Sequence, residues 1–426
     1  MKIGHVVLAS ILLISSATWL PAADTKPPAS ATKLAEPPAP EKRSEEETTG
    51  PQRGFQFRNL GPAAGGGRIT ALAGIPGNPN VIYVGSGSGG VWKTVDGGIS
   101  FKPIFEEYPA SIGAIAIAPS NPNLVWVGTG EANPRNNVMD GHGIYFSSDA
   151  GASWRRMGLA DAGQISRIVI DPGDPNTVFA AVLGSIWKPN ADRGIFRTTD
   201  GGETWKKVLF VDDQTGASDL AMQPGNSRVL IAGMWQFRRL PWEFIGGGPG
   251  SSVWKSTDGG TTWKKLQKNL PDGPLGRISL AFAPSNGNHV YALIHSQKGT
   301  LFESKDIGEK WEKVSDTRLI NVRPWYFSVI AVSPADENKL YFGSFNLVTS
   351  IDGGKNFQTN NRRIHPDYHA LWIDPKNPDR ILQGNDGFAL ESTDGGKSWH
   401  GFENLPLGQF YQVAVGSDAP YTICGG

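Results

Sequence analysis

The 426-residue chain is long enough for one large domain or two ordinary ones, and its 40 basic and 40 acidic residues leave no net charge. This balance excludes recognition of nucleic acid or anionic lipid through a strongly basic surface. With 54 Gly, 31 Pro and 14 Trp but only 19% charged residues, the composition is typical of a turn-rich, aromatic-rich all-β protein.

The N-terminal segment has the pattern of an export signal. Residues 1–23 combine a basic start, an apolar run at 6–14 and small residues before a cleavage site near Ala23. Residues 24–54 are rich in Pro, Ala and charge, which predicts a disordered linker. We therefore expect a secreted or periplasmic protein with no membrane span after signal cleavage. Cys424 has no second cysteine in the chain with which to form a disulfide.

One short motif occurs seven times in the rest of the chain. Each copy reads Ser/Thr-x-Asp-x-Gly-x-x-Trp/Phe, as in KSTDGGTTW at 255–263, and successive copies are 42 to 58 residues apart. A period near 50 residues is typical of a propeller or another array of repeats. The aspartates of the motif are Asp96, Asp149, Asp200, Asp258, Asp306, Asp352 and Asp394.

A Pro/Asn turn that leads into an apolar strand precedes each copy, as in NPNVIYVGS at 78–86, and another short strand precedes each turn. One unit therefore contains strand A, a turn, strand B, a loop, strand C, the motif turn and strand D, which form a four-stranded propeller blade. We predict an all-β, seven-bladed β-propeller at 55–408 and the start of a further blade at 409–426. We expect the natural protein to continue beyond this pair, or the pair to complete a split blade.

The motif aspartates are predicted to be structural. Asp and Ser/Thr oxygens accept hydrogen bonds from nearby backbone N–H groups, glycine supplies positive φ, and the closing aromatic ring can be buried between blades. A catalytic acid is not expected in seven copies, and one motif offers too few oxygen ligands for a metal ion. We therefore predict neither a metal nor a cofactor.

This motif is the mark of the Asp-box, or BNR, propellers. Residues 55–426 resemble the secreted bacterial sortilin-like and xyloglucanase-like group, the latter similar to glycoside hydrolase family 74. The resemblance implies a recognition module for protein, peptide or glycan ligands. Alternatively, it implies the N-terminal propeller of a secreted glycoside hydrolase, xyloglucanase-like or less readily sialidase-like, with a second propeller or C-terminal domain in the full-length chain. Photosystem assembly factors share the motif as well.

Propeller connectivity places the Asp boxes and A–B turns on one face and the B–C and D–A loops on the other, where we expect the functional site. The B–C loops of blades 2, 3 and 4 are long, at 131–143, 184–194 and 234–252, which predicts a cleft with walls on these blades. Exposed aromatic rings beside arginine suit stacking on sugars or gripping a peptide; alternatively they form a loop mini-core. The ligand-binding candidates are Arg68, Arg167, Arg277, Trp187, Trp235, Arg238, Arg239, Trp242, Trp325, Tyr326 and His369.

Two acids, Glu131 and Asp386, follow B strands at the ends that face this cleft. Two carboxylates across a cleft can act as acid and base in glycoside hydrolysis, and such a pair lies within about 10 Å. Alternatively, the two acids form solvated ion pairs with arginines of the central pore. A hydrolase therefore predicts an opposed acid pair, whereas a recognition module predicts acids that are all paired with Arg or Lys.

The resemblance also allows a comparison at single positions. Xyloglucanase-like enzymes carry a catalytic Asp in the first-blade stretch that corresponds to SGSGGVWK at 86–93, where this chain has Gly87. The sialidase-like alternative needs three arginines for a carboxylate and a tyrosine nucleophile. Tyr326 or Tyr368 would be that nucleophile, and the arginines would be Arg68, Arg167 and Arg277.

Overall fold

The computed structural model describes residues 66–359 and 364–425, and the regular elements in these ranges are β-strands. The predicted seven-bladed propeller is confirmed, because seven separate sheets each contain four antiparallel strands. The predicted signal peptide at 1–23 and linker at 24–54 lie outside the described residues.

The first four blades follow one another along the chain. Blade 1 consists of β1 (Ile69–Ile75), β2 (Asn78–Ser86), β3 (Val91–Thr94) and β4 (Lys102–Pro103). Blade 2 consists of β5 (Ile112–Ile117), β6 (Val125–Thr129), β7 (Ile144–Ser147) and β8 (Arg155–Arg156). Blade 3 consists of β9 (Gln164–Ile170), β10 (Val178–Gly184), β11 (Gly194–Thr198) and β12 (Lys206–Leu209). Blade 4 is interrupted by the hairpin of β15 (Arg238–Arg239) and β16 (Phe244–Ile245), and its strands are β13 (Thr215–Gln223), β14 (Asn226–Gln236), β17 (Ser252–Ser256) and β18 (Lys264–Leu266).

The last three blades repeat this order. Blade 5 consists of β19 (Ile278–Ala283), β20 (Asn286–Ile294), β21 (Leu301–Ser304) and β22 (Glu312–Ser315). Blade 6 consists of β23 (Val329–Val332), β24 (Leu340–Gly343), β25 (Leu347–Ser350) and β26 (Gln358–Thr359). Blade 7 consists of β27 (Tyr368–Asp374), β28 (Asn377–Asn385), β29 (Ala389–Ser392) and β30 (His400–Gly401). A two-stranded hairpin follows, made of β31 (Val413–Val415) and β32 (Ile423–Gly425).

The apolar cores of the propeller lie between blades. In β10 every residue is buried: Val178 and Ala180 pack with blade 2, whereas Phe179 and Ala181 pack with blade 4. Successive side chains of a strand point to opposite faces, so a strand between two neighbours must be apolar on both. This requirement explains the continuous apolar B strands of the sequence.

The A strands of neighbouring blades contact one another in a closed inner ring, from β1 through β5, β9, β13, β19, β23 and β27 back to β1. Buried hydroxyl groups connect several of these strands sideways. The hydroxyl of Thr70 donates to the Ile112 carbonyl (2.6 Å), and that of Ser218 donates to the Ile278 carbonyl (2.7 Å). These bonds fix the spacing of the inner strands, whose starts carry the site residues.

Each Asp box closes a hairpin between strands C and D. In blade 4 the hydroxyl of Ser256 donates to Asp258 Oδ1 (2.8 Å) and accepts the N–H of Gly260 (2.9 Å), while the hydroxyl of Thr262 donates to Asp258 Oδ2 (2.6 Å). These hydrogen bonds, above all those from Thr262, lower the pKa of Asp258 to about 2. The closing ring wedges between blades, as Trp205 does where it meets Trp126 of blade 2 edge to face.

Each blade is one continuous segment, so the contact between blade 7 and blade 1 closes the ring. We call this contact the seam. Arg380 donates from Nη1 to the Asn78 carbonyl (3.2 Å) and from Nη2 to the Pro79 carbonyl (3.1 Å). The carboxylate of Asp374 accepts the N–H of Gly77 with both oxygens, at 3.1 and 3.0 Å.

Candidate functional site

A hydrogen bond that recurs in all seven blades distinguishes the two faces of the propeller. A backbone N–H of the Asp box donates to a carbonyl of the A–B turn, from Gly97 to Asn80 in blade 1 (3.0 Å) and from Gly395 to Asp379 in blade 7 (2.9 Å). The Asp boxes and A–B turns therefore share one side, which we call the box face. The B–C and D–A loops lie at the opposite ends of the strands, on the loop face.

The long B–C loops of blades 2, 3 and 4 form a small apolar core of their own on the loop face. Trp235 and Phe237 are fully buried there with their rings 4.3 Å apart, and Val138 of blade 2 packs against them. The expectation that Trp235 is exposed is therefore wrong, because its ring fills this mini-core and its indole N–H donates to the Gly246 carbonyl (3.1 Å). Trp187 is half-buried against the same core.

The hairpin of β15 and β16 extends from this mini-core. Trp242 lies at its turn and is 82% exposed, with no aromatic partner among the described residues. Arg238 forms an ion pair with Glu243 (2.6 Å). The guanidinium of Arg239 lies over the ring of Phe244 at 5.0 Å, so this predicted candidate is held beside the hairpin rather than free in solvent.

Asp386 is the centre of a hydrogen-bond network where the inner strands begin. Arg68 donates to both carboxylate oxygens, from Nε (2.9 Å) and Nη2 (3.0 Å). The hydroxyl of Tyr326 donates to Oδ2 (2.7 Å), and Nε2 of His369 lies 2.8 Å from Oδ1. The structure thus brings three of the predicted candidates, from blades 1, 6 and 7, to one predicted acid.

These contacts hold Asp386 as an anion. Burial alone raises the pKa of Asp386, but the hydrogen bond and charge of His369, together with the charge of Arg68, lower it to about 2. Because an ionised carboxylate only accepts, Nε2 of His369 carries the hydrogen of their bond. A carboxyl group with this pKa does not donate a proton near neutral pH, as the general acid of glycoside hydrolysis must.

Glu131, the second predicted acid, is fully buried between two arginines. Arg68 Nη1 lies 3.4 Å from one of its oxygens and Arg135 Nη2 lies 3.1 Å from the other. Both predicted acids therefore bind the same guanidinium. This arrangement matches the alternative of ion pairs with pore arginines, but the pairs are buried rather than solvated, since Arg68 is only 4% exposed.

Gly87 lies against the same buried pair. Its N–H donates to the Arg68 carbonyl (3.1 Å), and a Cβ at this position would be 2.8 Å from Glu131 Oε2 and 3.2 Å from Arg68 Cδ. An aspartate at position 87 would therefore press a second carboxylate against that of Glu131. The glycine and the Arg68–Glu131 pair fit each other, and they leave no room for the acid that the xyloglucanase-like resemblance would require.

The three arginines of the sialidase-like alternative each have a separate partner. Arg68 is occupied by the two acids, and Arg167 pairs with Asp219 (2.8 Å). Arg277 donates to the side chain of Asn133 (3.1 Å), and burial lowers the pKa of Arg277 to about 10. These three guanidinium groups therefore do not form a shared carboxylate site.

A pocket of about 470 Å³ opens beside the Asp386 network, within the range of small-ligand sites. Four arginines contribute to it, and aromatic side chains supply flat surfaces. The lining residues are Arg68, Pro134, Arg135, Asn136, Asn137, Arg239, Arg323, Trp325, Tyr326, Asp367, Asp386 and Tyr411.

Arg239 and Arg323 have no acidic partner in the part of the chain that the structure describes. Nε of Arg239 donates to Asn136 Oδ1 (2.9 Å). Arg323 is exposed, and its guanidinium lies 6.0 Å from the centre of the Tyr326 ring. The pocket therefore presents two guanidinium groups whose positive charge is not neutralised by the protein.

Seven lining residues are not among the candidates from the sequence, namely Pro134, Arg135, Asn136, Asn137, Arg323, Asp367 and Tyr411. Arg323 and Asp367 lie in D–A loops just before β23 and β27, which connectivity already places on the loop face. Connectivity does not tell which loop residues point inward, because that depends on the closed ring. Arg135 lies in the long blade 2 loop, where it is separated from Glu131 by only four positions.

The fold and these sites define an Asp-box β-propeller with an arginine-lined pocket on its loop face. A family model described as sortilin, neurotensin receptor 3, matches residues 142–270. Xyloglucanase Xgh74A from Acetivibrio thermocellus is 25% identical over 287 residues, which are 55% of this chain and 32% of that protein. Sortilin from Rattus norvegicus is 26% identical over 242 residues, which are 53% of this chain and 26% of that protein.

The solved GH74 xyloglucanase from Xanthomonas campestris is 17% identical to this chain, with a TM-score of 0.60 over 84% of this chain and 57% of that one. The matched part of this chain spans about a third or less of the length of xyloglucanase Xgh74A and of sortilin. The matches and the seven blades together make it a sortilin-like and xyloglucanase-like propeller. Within the described residues, no helix has the length and apolarity needed to cross a membrane.

Proposed function

We propose that the chain is a secreted or periplasmic recognition module that binds an anionic group of a protein, peptide or glycan ligand in the arginine-lined pocket. One observation carries the proposal. The acids Glu131 and Asp386 are neutralised by ion pairs with arginines, whereas Arg239 and Arg323, which line the pocket, have no acidic partner among the described residues. A guanidinium binds a carboxylate or a sulfate through two parallel hydrogen bonds, which gives specificity as well as attraction.

The aromatic lining supports the same function. Trp325 and Tyr326 offer ring surfaces beside the two arginines, and Trp242 extends from the neighbouring hairpin. Rings of this kind stack on sugar faces or on peptide groups at little cost in side-chain entropy. The description of the matching family model as a receptor supports a recognition module.

Binding measurements on the full chain test this proposal. Fluorescence anisotropy with labelled acidic peptides and acidic oligosaccharides should give saturable binding that weakens as salt increases, because the attraction is between charges. Arg323→Ala should lower the affinity about tenfold, a typical loss for one charge-assisted contact. Arg155→Ala is the matched control, since Arg155 on strand β8 is exposed, is paired with Glu203 of blade 3 and does not line the pocket.

An unchanged affinity in Arg323→Ala and Arg239→Ala would contradict the proposal. Glycoside hydrolysis is tested on the same preparation by reducing-sugar release from a broad panel of polysaccharides. We expect no release, because Asp386 is held as an anion and Glu131 is buried between Arg68 and Arg135. Release that disappears in Asp386→Asn and in Glu131→Gln would favour the hydrolase over the recognition module.

A further inference from the structure

One acid of the pocket differs from Glu131 and Asp386 because it has no cationic partner within ion-pair distance in the described chain. Asp367 lines the pocket, and its Oδ1 is buried without a hydrogen-bond partner. Its backbone direction is fixed, since its N–H donates to the Phe345 carbonyl (3.0 Å) and its φ is +68°. The side chain is therefore held at the pocket wall by the turn rather than by a partner.

The charges around Asp367 come from three elements. Asp386 follows β28, His369 lies in β27, and Arg323 precedes β23, while His365 is on the loop of Asp367 itself. Burial and the negative charge of Asp386 raise the pKa of Asp367, and the three cationic groups only partly oppose them. Asp386 itself is committed to four hydrogen bonds, so Asp367 is the first of the two to bind a proton as the pH falls.

We propose that Asp367 determines the pH dependence and the selectivity of the pocket for an anionic ligand group. As a carboxylate, Asp367 repels an anion held by Arg239 and Arg323; as a carboxylic acid, it can donate a hydrogen bond to that anion. The proton comes from solvent, and no other bond changes. This inference rests on the proposed function of the pocket.

Anion binding and protonation of Asp367 are thermodynamically linked. An anion binds more tightly to the protonated form, so its affinity rises as the pH falls through the raised pKa of Asp367, and the bound anion raises that pKa by the same factor. One repelling charge in the same pocket is worth about tenfold in affinity, on the order of one pKa unit. The pocket is therefore expected to bind anions more tightly in acidic than in neutral solution.

The test uses a peptide of six cysteate residues with a rhodamine label, because the charges of the sulfonates and the emission of the label stay constant throughout the pH range. Its dissociation constant is measured for the full chain between pH 4.5 and 8. For the wild type, we expect about tenfold tighter binding at the acidic end. In Asp367→Asn, binding should be tight at both ends, because the repelling charge is absent. Asparagine tolerates a positive φ, so this variant keeps the turn.

Asp161→Asn is the matched control, because Asp161 is exposed in the loop between blades 2 and 3. This variant should retain the pH dependence of the wild type. A pH dependence that persists in Asp367→Asn overturns the inference and assigns it to another group, with His369 and His365 as the nearest. Binding without any pH dependence in the wild type overturns the inference and leaves the recognition function standing. Absence of binding by the wild type at every pH overturns both.

Discussion

Asp258 on the box face and Asp386 on the loop face are both ionised carboxylates whose pKa is lowered to about 2, but their hydrogen-bond donors come from different distances along the chain. Asp258 is bound by residues within four positions of it. Asp386 is bound by residues that are 17, 60 and 318 positions away. A local cluster can be repeated in every blade, whereas a non-local one exists once, and that distinguishes scaffold from site.

The largest effect is expected from a wedge of the box face. Trp311 is fully buried between blades 4 and 5, so Trp311→Ala should lower the free energy of unfolding by about 3–5 kcal/mol. Urea unfolding measures this change. Trp311→Phe is the control, because Phe101 and Phe357 already close two of the boxes, and it should cost much less. An equal loss of unfolding free energy in both variants would contradict the role of the aromatic ring in packing between the blades.

Substitution of Asp386, at the centre of the loop face, should lower the stability almost as much. Asp386→Asn removes one of the two anions that pair with Arg68 and should cost about 3 kcal/mol, since breaking a buried pair leaves positive charge in excess. Urea unfolding of Asp394→Asn gives the comparison within blade 7, because Asp394 belongs to an exposed Asp box. If Asp394→Asn proved as costly as Asp386→Asn, the distinction between local and non-local carboxylates would not hold.

The rim of the pocket should affect binding without affecting the fold. Arg323 is exposed, so Arg323→Ala should change the free energy of unfolding by no more than about 0.5 kcal/mol while it weakens anion binding. Thermal unfolding and anisotropy on the same preparation separate the two properties. A large loss of stability would instead place Arg323 among the structural arginines.

The smallest effect is expected from acid on the Asp boxes. The folded pKa of Asp258 is about 2, below the ordinary value near 3.9, so the stability that its ionised form contributes is present above about pH 4. That contribution is lost as the pH falls from about 4 towards 2. Calorimetry should show a thermal midpoint that falls between about pH 4 and pH 2, and this fall should be slightly smaller in Asp258→Asn because six other boxes remain.

The features predicted correctly are those encoded by nearby residues. The fold follows from a motif whose donors and acceptors lie within a few positions, so seven copies of the motif give seven blades. Glu131 and Asp386 were found because each follows a B strand. A cleft on the loop face was predicted, but Arg323 and Asp367 were not among its candidates, because connectivity does not tell which residues of a D–A loop point into it.

Trp235 shows a second limit of the sequence. The stretch MWQFRRLPWEF at 234–244 contains four aromatic residues, and composition does not tell which of them face inward. Trp235 and Phe237 are two positions apart on one side of an extended segment and are buried, whereas Trp242 lies at the hairpin turn and is exposed. The alternation of side chains between the two sides of a strand continues from β14 into the loop, and it determines that Trp235 and Phe237 are buried together.

The seam between blades 7 and 1 differs in connectivity from the other contacts between neighbouring blades. Covalent chain connects every other pair of neighbouring blades, whereas the two ends of the ring are joined only by contacts such as those of Arg380 and Asp374. Arg68 precedes blade 1 and Asp386 belongs to blade 7, so their ion pair spans the same gap. Opening of the ring at the seam would therefore break the Arg68–Asp386 pair and disrupt the wall of the pocket at the same time.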